Sequence, residues 1–228
     1  SSHEMDRRIL NNVRLYISSK MKHIFFTILA VIISTISYGQ TKLSAQEQKE
    51  IIAKINKTAS TMQSMQRDFS QVKNLSMMKS KMQSKGVMYF CKPNKLRWQY
   101  TSPYDYTFIL NGDKVVMKSS KSTNKIDVNK NKMFRQITDI MMNCMTGESL
   151  TSPAYFKVEL FKSGDIVYAQ LTPIKKEIKQ IYTAIFLYFN NELSMVNKVE
   201  MREKTGDNTT TTMTNITKNG KIDDKVFS

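Results

Sequence analysis

The residue types that most often perform catalytic or metal chemistry are scarce in this sequence. Its two histidines are His3 and His23, so residues 40–228 hold no imidazole to act as a general base or metal ligand. Cys91 and Cys144 without histidine do not make a zinc site, and neither GxGxxG nor GxxxxGK[ST] occurs. A hydrolase built on two carboxylates stays open. Because the acidic residues fall mostly in predicted turns and on polar strand faces, we expect no enzyme activity, cofactor or metal.

Methionine is unusually frequent and suggests an apolar ligand. The chain contains 16 methionines, and eight of them form two groups: Met77, Met78, Met82 and Met88, then Met133, Met141, Met142 and Met145. Unbranched, polarizable thioethers suit surfaces that fit variable apolar partners, including acyl chains. Leu96, Trp98 and Tyr100 alternate with polar residues and add aliphatic and aromatic side chains on one strand face. The alternative is that both sets simply fill the core.

The first 39 residues are typical of an export signal. Met21-Lys22-His23 precedes an apolar run over 24–33, and Ser37-x-Gly39 supplies a cleavage site, while residues 1–20 form an upstream extension. The run is shorter than the ~20 residues of a transmembrane helix, although an uncleaved anchor is the alternative. No cysteine stands directly after the run, where a lipoprotein signal would have one, so we expect a released protein with one domain at 40–228.

The net charge limits the kinds of binding partner, and the two cysteines limit the possible oxidation states. The formal net charge is +16, and +13 remains without the leader, which holds five Lys/Arg and two Asp/Glu. In an exported protein this excess favours an anionic membrane surface or an acidic protein, and not nucleic acid. In an oxidising compartment Cys91 and Cys144 could form a disulfide, and two buried thiols are equally compatible with the sequence.

Two helices and a series of hairpins should position these side chains. Ser44-x-x-Glu47 has capping-box spacing before a helix with one apolar stripe, formed by Ile51, Ile52, Ile55, Ala59 and Met62. A second helix is predicted over 132–146, because its apolar residues share one face and Gly147 follows. Tight turns near 111–113, 163–165, 190–191 and 205–208 predict an antiparallel meander. The order predicts one α+β domain whose helices lie on one sheet face and enclose an apolar space.

Several segments resemble the LolA family of outer-membrane lipoprotein carriers. The longest is Gly86–Pro103, with its glycine, strand, Lys92-Pro93 turn and aromatic-rich strand. Similar pieces occur in the same order across 47–227, at 65–71, 109–113, 171–173 and 219–227. The resemblance implies an incomplete, strongly curved antiparallel β-barrel, with an N-terminal helix and a mid-chain helical lid. It also implies a monomeric periplasmic carrier that takes lipoprotein acyl chains from an inner-membrane ABC transporter to an outer-membrane acceptor.

The resemblance and the apolar patterns together indicate the candidate site residues. The candidates for the acyl cavity and lid are Met88, Phe90, Leu96, Trp98, Met133, Phe134, Ile137, Ile140, Met141 and Met145. Lys92 occupies the position where the family usually has an arginine that hydrogen-bonds lid carbonyls, and it is the candidate latch. Two other functions stay open: a lipid- or lipoprotein-sensing regulatory module on the same scaffold, and a carbohydrate- or lipid-processing enzyme with two convergent carboxylates.

Overall fold

Twelve antiparallel strands form one sheet in the order β1-β8-β9-β10-β11-β12-β2-β3-β4-β5-β6-β7. The computed structural model describes residues 39–151 and 154–228, and the predicted signal peptide lies outside these residues. The strands are β1 (Thr41–Lys42), β2 (Ser64–Leu75), β3 (Ser80–Cys91), β4 (Lys95–Ser102), β5 (Tyr106–Asn111), β6 (Lys114–Ser119), β7 (Thr123–Asp127), β8 (Phe156–Ser163), β9 (Ile166–Pro173), β10 (Tyr182–Phe189), β11 (Val196–Glu203) and β12 (Asn208–Lys218). Since β1 and β7 are two separate edges, the sheet is curved but not closed, which confirms the predicted fold class.

Three α-helices accompany the sheet in the part of the chain that the structure describes, and local signals set the ends of the first two. The helices are α1 (Ala45–Thr61), α2 (Lys132–Thr146) and α3 (Lys176–Lys179). The predicted capping box is present at Ser44, whose backbone N–H donates to the Glu47 carboxylate at 2.9 Å. Gly147 ends α2 in the left-handed conformation with φ of 80°, which glycine adopts without a Cβ penalty. Both long helices therefore have the predicted bounds within a residue or two.

Side chains of one sheet face form the core. The strand register places six of them in one row, namely Met65, Phe90, Leu96, Leu110, Val115 and Ile126. Apolar residues of α1, among them Ile51 and Ile55, belong to the same buried cluster. On the opposite face a smaller aromatic cluster is formed by Phe161, Tyr168, Phe186 and Tyr188. The predicted hairpins are present, except that the turn after β10 is longer because Asn190 accepts hydrogen bonds from the N–H groups of Ser194 and Met195.

Two further observations concern membranes and disulfides. No helix within residues 39–151 and 154–228 combines the length and hydropathy needed to cross a membrane. Cys91 and Cys144 are not joined to each other by a disulfide. Cys91 is half-buried and Cys144 is buried, so the second of the two open alternatives, a pair of thiols, is the one observed.

Candidate functional site

A cavity of about 610 Å³ lies between the concave sheet face and helices α2 and α3. Its lining is mostly aliphatic and aromatic. The lining side chains come from the sheet (Gln71, Trp98, Tyr100, Tyr106, Phe108, Tyr182, Val199, Met201, Thr211 and Met213), from α2 (Lys132, Met133, Gln136, Ile137, Ile140, Met141 and Cys144) and from the region of α3 (Glu177, Ile178, Gln180 and Ile181). Such a volume lies within the ~300–1,000 Å³ typical of small-molecule sites.

The floor of the cavity is built around Trp98. Strand pairing places Trp98 directly opposite Phe108, and the Trp98 ring stacks on Phe69 with 4.1 Å between ring centroids. Phe69 in turn meets the edge of Tyr100 at 5.3 Å. Gly86 makes this packing possible, because a Cβ there would lie 2.0 Å from the Gln99 carbonyl oxygen and 2.4 Å from Phe69 Cζ. The floor is therefore a rigid aromatic surface that depends on one glycine.

The polar groups of the floor satisfy one another. The Tyr100 hydroxyl donates to Gln71 Oε1 at 2.9 Å, and Gln71 Nε2 donates to the Thr211 hydroxyl at 3.0 Å. Burial raises the pKa of Tyr100, so its phenol keeps its proton. A polar group in an apolar site costs free energy unless it is hydrogen-bonded. Because these three side chains are bonded in a chain, the floor can accept a hydrocarbon without leaving them unpaired.

Helix α2 covers the cavity with the apolar face that its sequence predicts. Met133, Ile137, Ile140 and Met141 line the cavity. On the other face of α2, Thr138 and Thr146 are buried. That face lines a second cavity of about 550 Å³, shared with Lys92, Asn94, Asp113 and Asn129 among others. Helix α2 thus has open space on both sides.

Five of the ten predicted cavity and lid residues line the first cavity: Trp98, Met133, Ile137, Ile140 and Met141. Met88 and Leu96 share the concave face with Trp98 but are fully buried in the core. Phe90 is also buried in the core and borders the second cavity, and Phe134 packs against the core cluster. Met145 lies in α2, but its side chain is outside the described part of the chain.

The placement of Met88, Phe90 and Leu96 on the cavity wall is therefore corrected. The alternation along the strands identified the face correctly, since Met88 pairs with Trp98 and Phe90 with Leu96. Alternation says nothing about where along a strand the covering helices leave a gap. Phe90 and Leu96 belong to the core row that also contains Met65, whereas the cavity lies further along the strands, toward Tyr100 and Gln71.

Sequence reasoning missed much of the lining. The Thr-rich strand β12 has an ordinary polar composition, but Thr209 and Thr211 are buried on the concave face. Ile178 lies in the short helix α3, for which no element was predicted. The alternation of side chains along β4 could have predicted one further lining residue, because it places Tyr100 on the same face as Trp98.

The candidate latch Lys92 holds a different helix from the predicted one. Its ammonium donates to the Ala59 carbonyl at 2.6 Å and to the Ser60 carbonyl at 3.4 Å, both at the C-terminal end of α1. The expectation of a latch on the mid-chain lid is thus not met, although a lysine does hold helix carbonyls. The reason is that α1 ends beside the Lys92-Pro93 turn, which follows β3. The Lys92 N–H donates to the carbonyl of Gln63, two residues after the end of α1, and this bond brings the two segments together.

A buried arginine that the sequence did not single out lies on the concave face, between Met65 and Phe69 of β2, and joins three strands. Arg67 donates to the carbonyls of Val196 at 2.7 Å and Met213 at 3.2 Å. Its Nε has no hydrogen-bond partner within the described residues. Burial lowers the pKa of Arg67 to about 10. Its two bonds tie β2 to the first residue of β11 and to β12, and Met213 is itself a lining residue.

Comparisons with known proteins find one family model and several solved structures of low sequence identity. The family model for outer membrane lipoprotein carrier protein LolA matches residues 60–228. No curated protein sequence matches the chain. Similar solved structures include a LolA superfamily protein of Nitrosomonas europaea (11% identity, 79% of this chain and 97% of that one, TM-score 0.43). A putative outer membrane lipoprotein-sorting protein domain of Vibrio parahaemolyticus (10%, 81% and 97%, 0.44) and the Mycobacterium tuberculosis lipoprotein LppX (7%, 79% and 99%, 0.42) are also similar.

Within residues 39–151 and 154–228, no group of three or more His, Cys, Asp or Glu could hold a metal ion.

Proposed function

The chain belongs to the outer membrane lipoprotein carrier (LolA) family, and from that premise we propose that it is a periplasmic carrier of lipoproteins. In this proposal the first cavity binds the acyl chains, and the protein shuttles its cargo from the inner to the outer membrane. An inner-membrane ABC transporter would supply the cargo and an outer-membrane acceptor would receive it. The protein would act as a monomer and catalyse no reaction.

The observation that carries the proposal is the apolar lining of the cavity under α2. Trp98, Phe108 and Met213 offer a hydrocarbon surface on the sheet side, and Ile137 and Ile140 offer one on the helix side. Burying each methylene stabilises a complex by about 0.8 kcal/mol, so a long acyl chain gains on the order of 10 kcal/mol by leaving water. A cavity of this character therefore suits an acyl ligand better than a polar one.

The same lining argues against an enzyme whose active site is the first cavity. A carboxylate-pair hydrolase needs two convergent carboxylates. Of the described side chains that line the cavity, Glu177 alone carries a carboxylate, and it is exposed. Release of cargo would then depend on an acceptor that binds the acyl chains better, since a ligand shifts an equilibrium only by its difference in affinity.

The sole tryptophan of the chain provides the test, because Trp98 lies in the cavity wall. We expect a brominated fatty acid, and then a brominated triacylated peptide, to quench Trp98 fluorescence in a saturable manner. The unbrominated fatty acid should compete. Absence of quenching by both ligands, together with no acylated peptide in mass spectra of protein purified from its own host, would refute the proposal. Ligand that is bound but never passed to membranes would favour the regulatory module.

Two neighbouring methionines of α2 provide a matched pair of variants. Met141 lines the first cavity, whereas Met142 lines the second, and both are half-buried in the same helix. Met141→Gln places an amide against the acyl chain and should weaken binding about tenfold, since an unpaired buried amide costs about 1–3 kcal/mol. Met142→Gln carries the same chemical change and should leave binding unaltered. Equal affinity of the two variants would show that the ligand is not in the first cavity.

A further inference from the structure

Most exposed apolar side chains of the described residues lie at one end of the sheet. Register aligns Leu171, Ile185, Met201, Thr209, Lys73 and Met82 in one row near this end. The connections β2–β3, β4–β5, β9–β10 and β11–β12 lie just beyond that row, and we call this the mouth end. Nine large apolar residues are well exposed, and seven of these are at the mouth end or the cavity rim: Met77, Met78, Met82, Tyr104, Met133, Ile174 and Ile181. Ile166 and Ile216 lie elsewhere.

The β2–β3 hairpin projects furthest at this end. Strand β3 pairs with β4 only as far as Lys85, so residues 80–84 pair with β2 alone. At the tip, Met77 is 93% exposed and Met78 is 73% exposed. Leu75 is four positions further along β2 than the cavity-lining Gln71, and at about 3.3 Å per residue the tip lies some 13 Å beyond the cavity floor. Single exposed apolar residues are ordinary, but two methionines at the tip of a projecting hairpin are not explained by packing.

Lysines surround these apolar side chains. The exposed lysines of the mouth end are Lys79, Lys81, Lys85, Lys132, Lys176, Lys179 and Lys204. Of the acidic groups there, Glu203 and Asp207 lie 3.0 Å and 4.0 Å from the Lys73 ammonium. Asp105 and Glu177 are exposed and offset only part of the positive charge. An apolar tip within a ring of lysines is the composition that binds anionic lipid surfaces.

We propose that the mouth end docks on an anionic bilayer, with Met77 and Met78 inserted among the headgroups. The lysines contact the anionic headgroups. Met82 lies on the concave face between the tip and the cavity, so it continues the apolar floor toward the bilayer. Acyl chains then pass between bilayer and cavity without crossing bulk water. The proposal of docking is supported by the composition of this surface alone, whereas the proposal of acyl-chain transfer rests on the proposed carrier function.

Vesicle co-sedimentation with paired variants tests the docking. The vesicles are phosphatidylcholine mixed with an equal amount of phosphatidylglycerol, and phosphatidylcholine alone. All proteins keep the same chain ends, so that the apolar run at 24–33 contributes equally. Met77→Ser/Met78→Ser and Lys81→Glu/Lys85→Glu should each bind the anionic vesicles about tenfold more weakly than the wild type. The matched controls, Ile166→Ser and Lys54→Glu/Lys57→Glu, change exposed residues away from the mouth end and should bind as the wild type does.

Each result decides the docking proposal separately from the carrier proposal. A wild type that ignores anionic vesicles, or hairpin variants that bind as tightly as the controls, would overturn the docking and leave an acidic protein as the occupant. Equal losses in the controls would also overturn it, since they show that the weaker binding is not specific to the mouth end. Trp98 quenching by a brominated fatty acid in vesicle-free solution should be unchanged in every variant. If vesicle binding persists while that quenching is absent from the wild type, the docking stands and the carrier function fails.

Discussion

Removing the Lys92 ammonium should destabilise α1 by an amount that its bonds allow us to work out. Helix α1 has no basic residue in its last turn, so Lys92 supplies the positive charge at that end. Lys92→Met keeps the aliphatic stem but removes the donor to the Ala59 carbonyl at 2.6 Å. A hydrogen bond from a charged donor contributes about 1.5–3 kcal/mol, and a cation at a helix C-terminus about 0.3–1 kcal/mol. Because Lys92 is half-exposed, we take the low end and expect a loss of about 1.5 kcal/mol.

Urea unfolding followed by Trp98 fluorescence and circular dichroism measures this loss. We expect the midpoint to fall with an unchanged slope, which separates lost stability from a changed denatured state. Lys92→Arg keeps a donor and should recover most of the loss. Lys95→Met is the matched control, because Lys95 pairs at 2.8 Å with Asp224, whose side chain is 85% exposed, and such pairs contribute about 0–1 kcal/mol.

The refuting result is a Lys92→Met midpoint equal to that of Lys95→Met. It would mean that the bonds to α1 add no more than a surface ion pair. A second readout separates the two possible latches. Since α1 contributes no lining residue, Lys92→Met should leave quenching of Trp98 by a brominated fatty acid unchanged. A large change in that affinity would return Lys92 to the role of a lid latch.

Two further predictions concern the floor and the aromatic cluster on the outer face. Gly86→Ala should cost at least about 3 kcal/mol in urea unfolding, because its Cβ would meet the Gln99 carbonyl oxygen at 2.0 Å and disturb Phe69; a loss under 1 kcal/mol would contradict the close approach. Burial first, and Glu200 second, raise the pKa of Tyr188 to about 12. In the folded protein Tyr188 therefore keeps its proton at a pH where the unfolded phenol, with a pKa near 10, has lost it. The contribution of this pKa difference to the free energy of unfolding is present below pH 10 and is lost as the pH rises toward 12. The melting temperature of Tyr188→Phe should fall less than that of the wild type over that range, and parallel curves would refute the assignment.

Local signals in the sequence predicted the elements well because each signal acts within a few residues. The Ser44 capping box, the Gly147 stop and the apolar face of α2 depend on neighbours in the chain, and the structure contains all three. The turn after β10 was placed too tightly, since the side chain of Asn190 bonds two N–H groups four and five residues ahead. Composition alone does not reveal such a bond.

The cavity was harder to predict because tertiary contacts decide which residues line it. Alternation along β3 and β4 identified the concave face, yet only the packing of helices decides that Phe90 is core and Trp98 is lining. Thr211 is a polar residue on a polar strand, and its burial follows from a bond to Gln71 on a strand far away in sequence. Likewise, the resemblance identified the position of Lys92 but not which helix its ammonium reaches.

The pairing of β12 with β2 has a consequence for how the protein is made. Gln71 and Thr211 are bonded across the floor although 140 residues separate them in the chain. Contacts of such long range form slowly, because closing a long loop costs conformational entropy before the contact can compensate for it. Before that pairing the aromatic floor around Trp98 has no neighbouring strand, and the apolar face of α2 has an incomplete surface to cover. A folding intermediate that exposes apolar surface in this way is prone to aggregate, so we expect the chain to need protection from aggregation until β12 pairs with β2.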